Sequence, residues 1–127
     1  MAKKIDATFE ISAWDEQPFD EAVGVAKLTR ASVAKQYAGD IDATSATEWL
    51  MAYHPDKTAA FVGLERLRGT IGGMKGSLIL RHVGVFEDGA AKASLEVVSG
   101  TDELKGATGQ GELTADPAGR ITLTLTV

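Results

Sequence analysis

Cysteine is absent from this chain of 127 residues, which removes disulfides, thiolate catalysis and cysteine-ligated zinc or iron–sulfur sites together. Imidazole is scarce too, with His54 and His82 the only histidines. No stretch approaches the roughly 20 apolar residues that a membrane helix requires. The opening MAKKIDATFE holds no apolar core of a signal peptide, so the expected compartment is the cytoplasm and no membrane partner is expected. Cations are outnumbered: 13 Lys and Arg against 18 Asp and Glu give a formal net charge of -5, which is unfavourable for a polyanion and argues against nucleic acid.

What remains is ordinary for a globular chain, 44% hydrophobic and 24% charged, and the length suits one domain over residues 1–127 with one sizeable core. Apolar and polar residues alternate through most of it. Clusters of glycine, aspartate and proline interrupt the alternation at intervals of roughly 8 to 12 residues, as in antiparallel sandwiches and barrels. The reading is all-β, with strands over 4–14, 26–38, 43–54, 59–70, 76–87, 90–99, 103–115 and 120–127. The segment DEQPFDEAVG is the longest irregular connection and has room for a short helix.

Turn chemistry sets the pairing. Asp88-Gly89 is a two-residue hairpin signal that pairs Glu87 with Ala90 and Arg81 with Glu96. A three-residue Pro117-Ala118-Gly119 turn sets Leu123 opposite Leu113 and Leu125 opposite Gly111. In EWLMAYHPDKTAAFVGLER, a four-residue loop Pro55 to Thr58 brings Glu48 directly opposite Glu65, whereas an odd loop brings Arg66 or Leu64 there. A four-residue loop Gly72 to Lys75 brings His82 opposite Glu65; a two-residue Gly72-Gly73 turn brings Leu80 there and leaves His82 a diagonal step away.

With even loops, one face collects Glu48, Leu50, Phe61, Glu65, Leu80, His82 and Phe86, apolar with three ionisable groups, as a ligand-holding interior would be. The other face, with Trp49, Met51, Val62, Leu64, Arg81 and Val83, is too apolar for a fully solvated wall and suggests a twofold homodimer. In the converse assignment Trp49 and Tyr53 line the cavity and Glu48 and Glu65 lie outside.

The segments LTRASVAKQYAGD, EWLMAYHP, FVGLERLRGTIGGMKGSLILRHVGVFEDG and DELKGATGQGEL resemble a bacterial domain-of-unknown-function family over nearly the whole chain. The resemblance implies a single eight-stranded antiparallel meander barrel, similar to allene oxide cyclase within the calycin group, often dimeric. It carries Thr29, Arg30, Glu48, Trp49, Tyr53, Gly63, Glu65, His82, Gly84 and Phe86 as motif positions and supplies no activity. The run SGTDELKG departs from the family's glycine-rich pattern.

Two facing carboxylates in a low-dielectric cavity cannot both stay ionised cheaply. Glu48, Glu65 and His82 are therefore the candidate acid/base groups, with Arg30 to hold an anion and Trp14, Tyr53, Phe61, Leu80 and Phe86 as ligand contacts. Two function classes follow: a binding barrel for a mostly apolar small molecule with a polar or cationic end, and a cofactor-free isomerase or cyclase. A third reading is a dimeric partner protein with a filled barrel. No cofactor is expected, and no ligand spacing announces a metal.

Overall fold

The computed structural model describes residues 2–115 and 118–127. Eight antiparallel strands run in chain order: β1 (Ala2–Asp20), β2 (Lys27–Gly39), β3 (Ile41–Tyr53), β4 (Ala59–Ile71), β5 (Met74–Glu87), β6 (Ala90–Gly100), β7 (Thr108–Ala115) and β8 (Gly119–Thr126). Each pairs with the next, and β8 pairs back onto β1 to close the barrel. No helix among the described residues is long and apolar enough to cross a membrane.

All eight expected strands are present, and two boundaries differ for physical reasons. The irregular stretch after residue 14 holds no helix, because β1 continues along β2 to Asp20 through register shifts at Ile11/Ala13 and Pro18/Asp20. Its pairing with β8 ends at Phe9, so Pro18 lies where β1 is paired on one side only, an edge position that tolerates proline. Before β7, Asp102–Leu104 forms a single 3-10 turn that buries Leu104 completely, so the strand begins at Thr108 rather than 103.

Strand alternation builds the core. Ile5, Ile41, Leu67, Ile71, Leu78 and Leu80 have no exposed surface and share the interior with Leu113, Ile121 and Leu123. Burying such a side chain is worth roughly 1.5–3 kcal/mol. Gly63 serves this packing directly: a Cβ there would lie 2.5 Å from the Trp49 ring, so only glycine leaves the indole its place.

The hairpins decide which expectations hold. Asp88-Gly89 takes positive φ at both residues and pairs Glu87 with Ala90 and Arg81 with Glu96, as expected. Gly72-Gly73 likewise makes the two-residue turn, so Leu80 lies opposite Glu65 and His82 opposite Gly63. The even loop after β3 is overturned. Tyr53 pairs with Ala59, leaving a five-residue loop 54–58. Asp56 Oδ1 accepts from the Thr58 N–H at 3.0 Å and from its hydroxyl at 2.6 Å, and Lys57 takes φ 72°. Those contacts hold Thr58 in the loop, and the extra residue reverses the face of β3. Glu48 therefore lies opposite Leu64 and points outward, while Trp49 and Met51 point inward. In the last hairpin Leu123 pairs with Gly111 and Leu113 with Ile121, a shift of two that keeps every leucine inside. Pro117 of the expected turn lies outside the described residues.

Candidate functional site

The reversed face of β3 separates the carboxylates that were expected to meet. Glu48 is on the outer wall, bonded to Arg30 Nε at 2.6 Å. Hydrogen bonds from Ser32 and Arg30 hold its carboxyl below the ordinary range. Arg30 is two-thirds exposed and turned away from the interior, so it holds no anion there. The acid/base set Glu48, Glu65 and His82 is not assembled, and neither is a metal site from the same three. No group of three or more metal-type side chains occurs among the described residues.

Glu65 and His82 do meet, in the centre of the barrel and with no side-chain exposure. Glu65 Oε1 lies 2.9 Å from His82 Nε2 and 3.3 Å from Lys35 Nζ. Its Oε2 accepts from Tyr37 Oη at 2.7 Å and from Ser45 Oγ at 2.6 Å. Trp49 Nε1 donates to His82 Nδ1 at 3.3 Å, which assigns the imidazole proton to Nε2 and makes it a donor to Glu65. Four donors from three strands, two of them on β2, thus converge on one carboxylate. Burial alone would raise the Glu65 pKa, but the Lys35 charge, the His82 hydrogen bond and Ser45 outweigh it and hold the carboxyl well below its ordinary value. Burial pulls Lys35 down, against the opposing pull of Glu65, and pushes the Tyr37 phenol up, reinforced by the Glu65 charge. Lys35 Nζ also sits over the rings of Phe9 and Trp49, at 4.6 and 5.2 Å from their centroids. The Thr47 hydroxyl, beside this cluster, is buried without a hydrogen-bond partner among the described residues.

A second carboxylate stands at the end of the barrel where β3, β5 and β7 finish. Glu16 Oε2 accepts from Thr29 Oγ1 at 2.6 Å and from Tyr53 Oη at 2.7 Å, and Oε1 accepts from Trp14 Nε1 at 3.1 Å. Burial works to raise its pKa, yet those three hydrogen bonds and the charge of Lys27 bring the net shift downward. Lys27 Nζ lies 5.3 Å from the Tyr53 ring centroid. Burial, with the bond to Glu16, pushes the Tyr53 phenol up. The Trp14 indole is 45% exposed and meets Trp49 edge-on at 5.6 Å; Trp49 in turn packs on Phe61 at 4.9 Å. Phe86 and Tyr53, half-buried, complete this aromatic mouth.

Of the expected ligand contacts, the fold gathers Trp14, Tyr53, Phe61 and Phe86 at the mouth. It puts Leu80 in the fully buried core and Arg30 outside. The sequence reading missed Glu16, Lys35, Tyr37 and Ser45. A signal for two of them was available: in β2, Lys35 and Tyr37 fall in the same alternating phase as Ala31 and Val33, so a lysine occupies a core position.

An all-β closed barrel of eight antiparallel strands, with a sealed polar centre and an aromatic mouth, is the class these observations define. Residues 5–127 match the family described as "Protein of unknown function (DUF3224)", and the chain belongs to that family. The fold is similar to the crystal structure of a DUF3224 protein of unknown function from Shewanella oneidensis MR-1. That likeness has a TM-score of 0.81 and 27% identity, and it covers 99% of this chain and 98% of the other. No curated protein matches. These matches carry the family and its all-β fold and do not bear on the likeness to allene oxide cyclase.

Proposed function

We propose that this protein is a small-molecule-binding barrel whose ligand, mostly apolar with a cationic end, sits at the mouth among Trp14, Tyr53 and Phe86 and is read by Glu16. We also propose that two copies assemble through the apolar outer wall. The observation that carries the binding reading is the Glu16 carboxylate, held ionised and only partly buried beside the Trp14 and Tyr53 rings. An anion beside exposed π-faces attracts an organic cation through charge and quadrupole together.

The isomerase or cyclase reading has less support, because Glu48 is turned out and His82 and Glu65 are sealed beneath Trp49. The filled-barrel reading draws on the packed interior below Trp49, and it is the alternative that the test must exclude. Benzyltrimethylammonium combines an apolar ring with a fixed charge. It should perturb tryptophan fluorescence saturably, through Trp14, and Glu16→Gln should weaken that binding by about tenfold or more. A spectrum unchanged into the millimolar range, or binding indifferent to Glu16→Gln, would favour the filled barrel.

A further inference from the structure

β1 outruns the ladder on one of its sides. Its pairing with β8 ends at Phe9, whereas its pairing with β2 continues from Ala13 opposite Ala34 to Gln17 opposite Arg30 and beyond. Along Ala13–Gln17, between the register shift at Ile11/Ala13 and Pro18, no described residue pairs with the second side of the strand. The stretch is exposed except at Glu16. It is about as long as an ordinary strand, and Pro18 ends it because proline has no N–H to offer. An edge of this kind is a template for a further strand.

Charge decides which strand the edge can take. No lysine or arginine occurs between Lys4 and Lys27, while Glu10, Asp15, Glu16, Asp20 and Glu21 line this part of the chain. The cations nearby are engaged or lie short of the stretch: Lys27 on the Tyr53 ring, Arg30 on Glu48, Lys35 sealed on Glu65, and Arg120 opposite Thr8, before the free edge begins. A second copy added here would set carboxylate beside carboxylate, and like charges across a ladder are destabilising. We infer that this edge of β1 takes an extended, lysine- or arginine-bearing segment of another protein, added as a further strand through backbone hydrogen bonds. Successive residues face opposite sides of a sheet. Glu16 turns towards the mouth, with Thr29 and Tyr53, and Asp15 turns outward, so cations on either face of the incoming strand meet a carboxylate. The inference goes beyond the small-molecule reading and does not rest on it, because backbone groups make the ladder.

Fluorescence anisotropy with a labelled heptapeptide of alternating lysine and valine tests the edge. The peptide should bind the wild-type chain saturably, with a Kd below about 1 mM at low salt. Its fully N-methylated counterpart keeps every charge and loses the backbone donors, so its affinity should fall by about tenfold or more. Asp15→Lys should weaken binding of the unmodified peptide by about fivefold or more, with circular dichroism melts to confirm the fold. Hydrogen exchange should slow at Ala13–Gln17 in the wild-type complex. The N-methylated control and the exchange readout both use the wild-type chain, so they decide the matter even where Asp15→Lys is unstable. Equal binding of the N-methylated peptide would reduce the contact to charge alone and overturn the added strand. Protection confined to residues away from β1 would overturn the edge, and no saturable binding would overturn both. If the free chain instead protects Ala13–Gln17 as its own concentration rises, the edge belongs to a second copy and the inference fails.

Discussion

Glu65 and Glu16 are served by nearly the same chemistry in different surroundings. Each accepts from a tyrosine, from a serine or threonine hydroxyl and from an aromatic N–H, with a lysine close by: Tyr37, Ser45, His82 and Lys35 for Glu65, and Tyr53, Thr29, Trp14 and Lys27 for Glu16. Glu65 has no exposed side-chain surface, whereas Glu16 is only partly buried. Trp49 stands between them, donating to His82 and meeting Trp14 edge-on. A sealed carboxylate with every lone pair occupied fixes strands to one another. The same donor set at an open end holds a charge in place and leaves one side of it reachable.

The comparison breaks most easily at Glu65. Glu65→Gln leaves the Lys35 ammonium buried without a counter-charge and should cost about 3–5 kcal/mol in urea unfolding. Adding Lys35→Met should recover much of that, because a buried pair replaced by neutral groups is often nearly neutral overall. A loss below about 1 kcal/mol from the single change would mean that the network holds little of the fold together.

Acid should separate the two sites next. The Glu65 carboxyl titrates at about 2 in the folded chain against an ordinary 4.5. Its contribution is therefore fully present above the unfolded value and is lost as pH falls through that window towards 2. Unfolding free energy should drop by a few kcal/mol over that range in the wild type, on a visibly flatter curve in Glu65→Gln. In Glu16→Gln the drop should be almost unchanged, since solvent screens that group.

How far this pair was legible in the sequence depends on where each residue's face was decided. The eight strands follow from alternation, and Asp88-Gly89 fixed its register because that dipeptide accepts the positive φ of a two-residue turn. The face of β3 turned on a single residue: Asp56 captures Thr58, the loop 54–58 becomes odd, and Glu48 leaves the interior while Trp49 enters it. No periodicity in β3 reports that hydrogen bond. Lys35 was readable from its phase in β2, but a lysine in the core contradicts the composition rule that places charges outside. Its partners come from other strands, so the compensation is visible only in the closed barrel. Glu16 was obscured by the register shift at Ile11/Ala13, beyond which the alternation of β1 no longer indicates an inner face.

Thr47 offers a smaller test of how completely the sealed site is satisfied. It pairs with Glu65 across the β3–β4 ladder, yet its hydroxyl is buried without a partner among the described residues. Thr47→Val keeps the shape and removes the unmet polar atom, so it should stabilise the chain by about 1 kcal/mol. A loss of stability would show that the hydroxyl is hydrogen-bonded in solution and that the network extends beyond the groups bonded to Glu65.

The smallest stability effect belongs to Glu16, and there the contrast with Glu65 is sharpest. Trp14 and Tyr53 keep access to water when the carboxylate becomes an amide, and the amide oxygen still accepts from the buried Thr29, so Glu16→Gln should change the unfolding free energy by no more than about 1 kcal/mol. The same substitution removes the charge that a cationic ligand would meet at the aromatic mouth. A variant as stable as the wild type that no longer binds benzyltrimethylammonium would show that one donor set has been used for two purposes, cohesion in the centre and recognition at the end. If Glu16→Gln instead lost stability on the scale expected for Glu65→Gln, both carboxylates would be cohesive, and the mouth would be the closed end of a filled barrel.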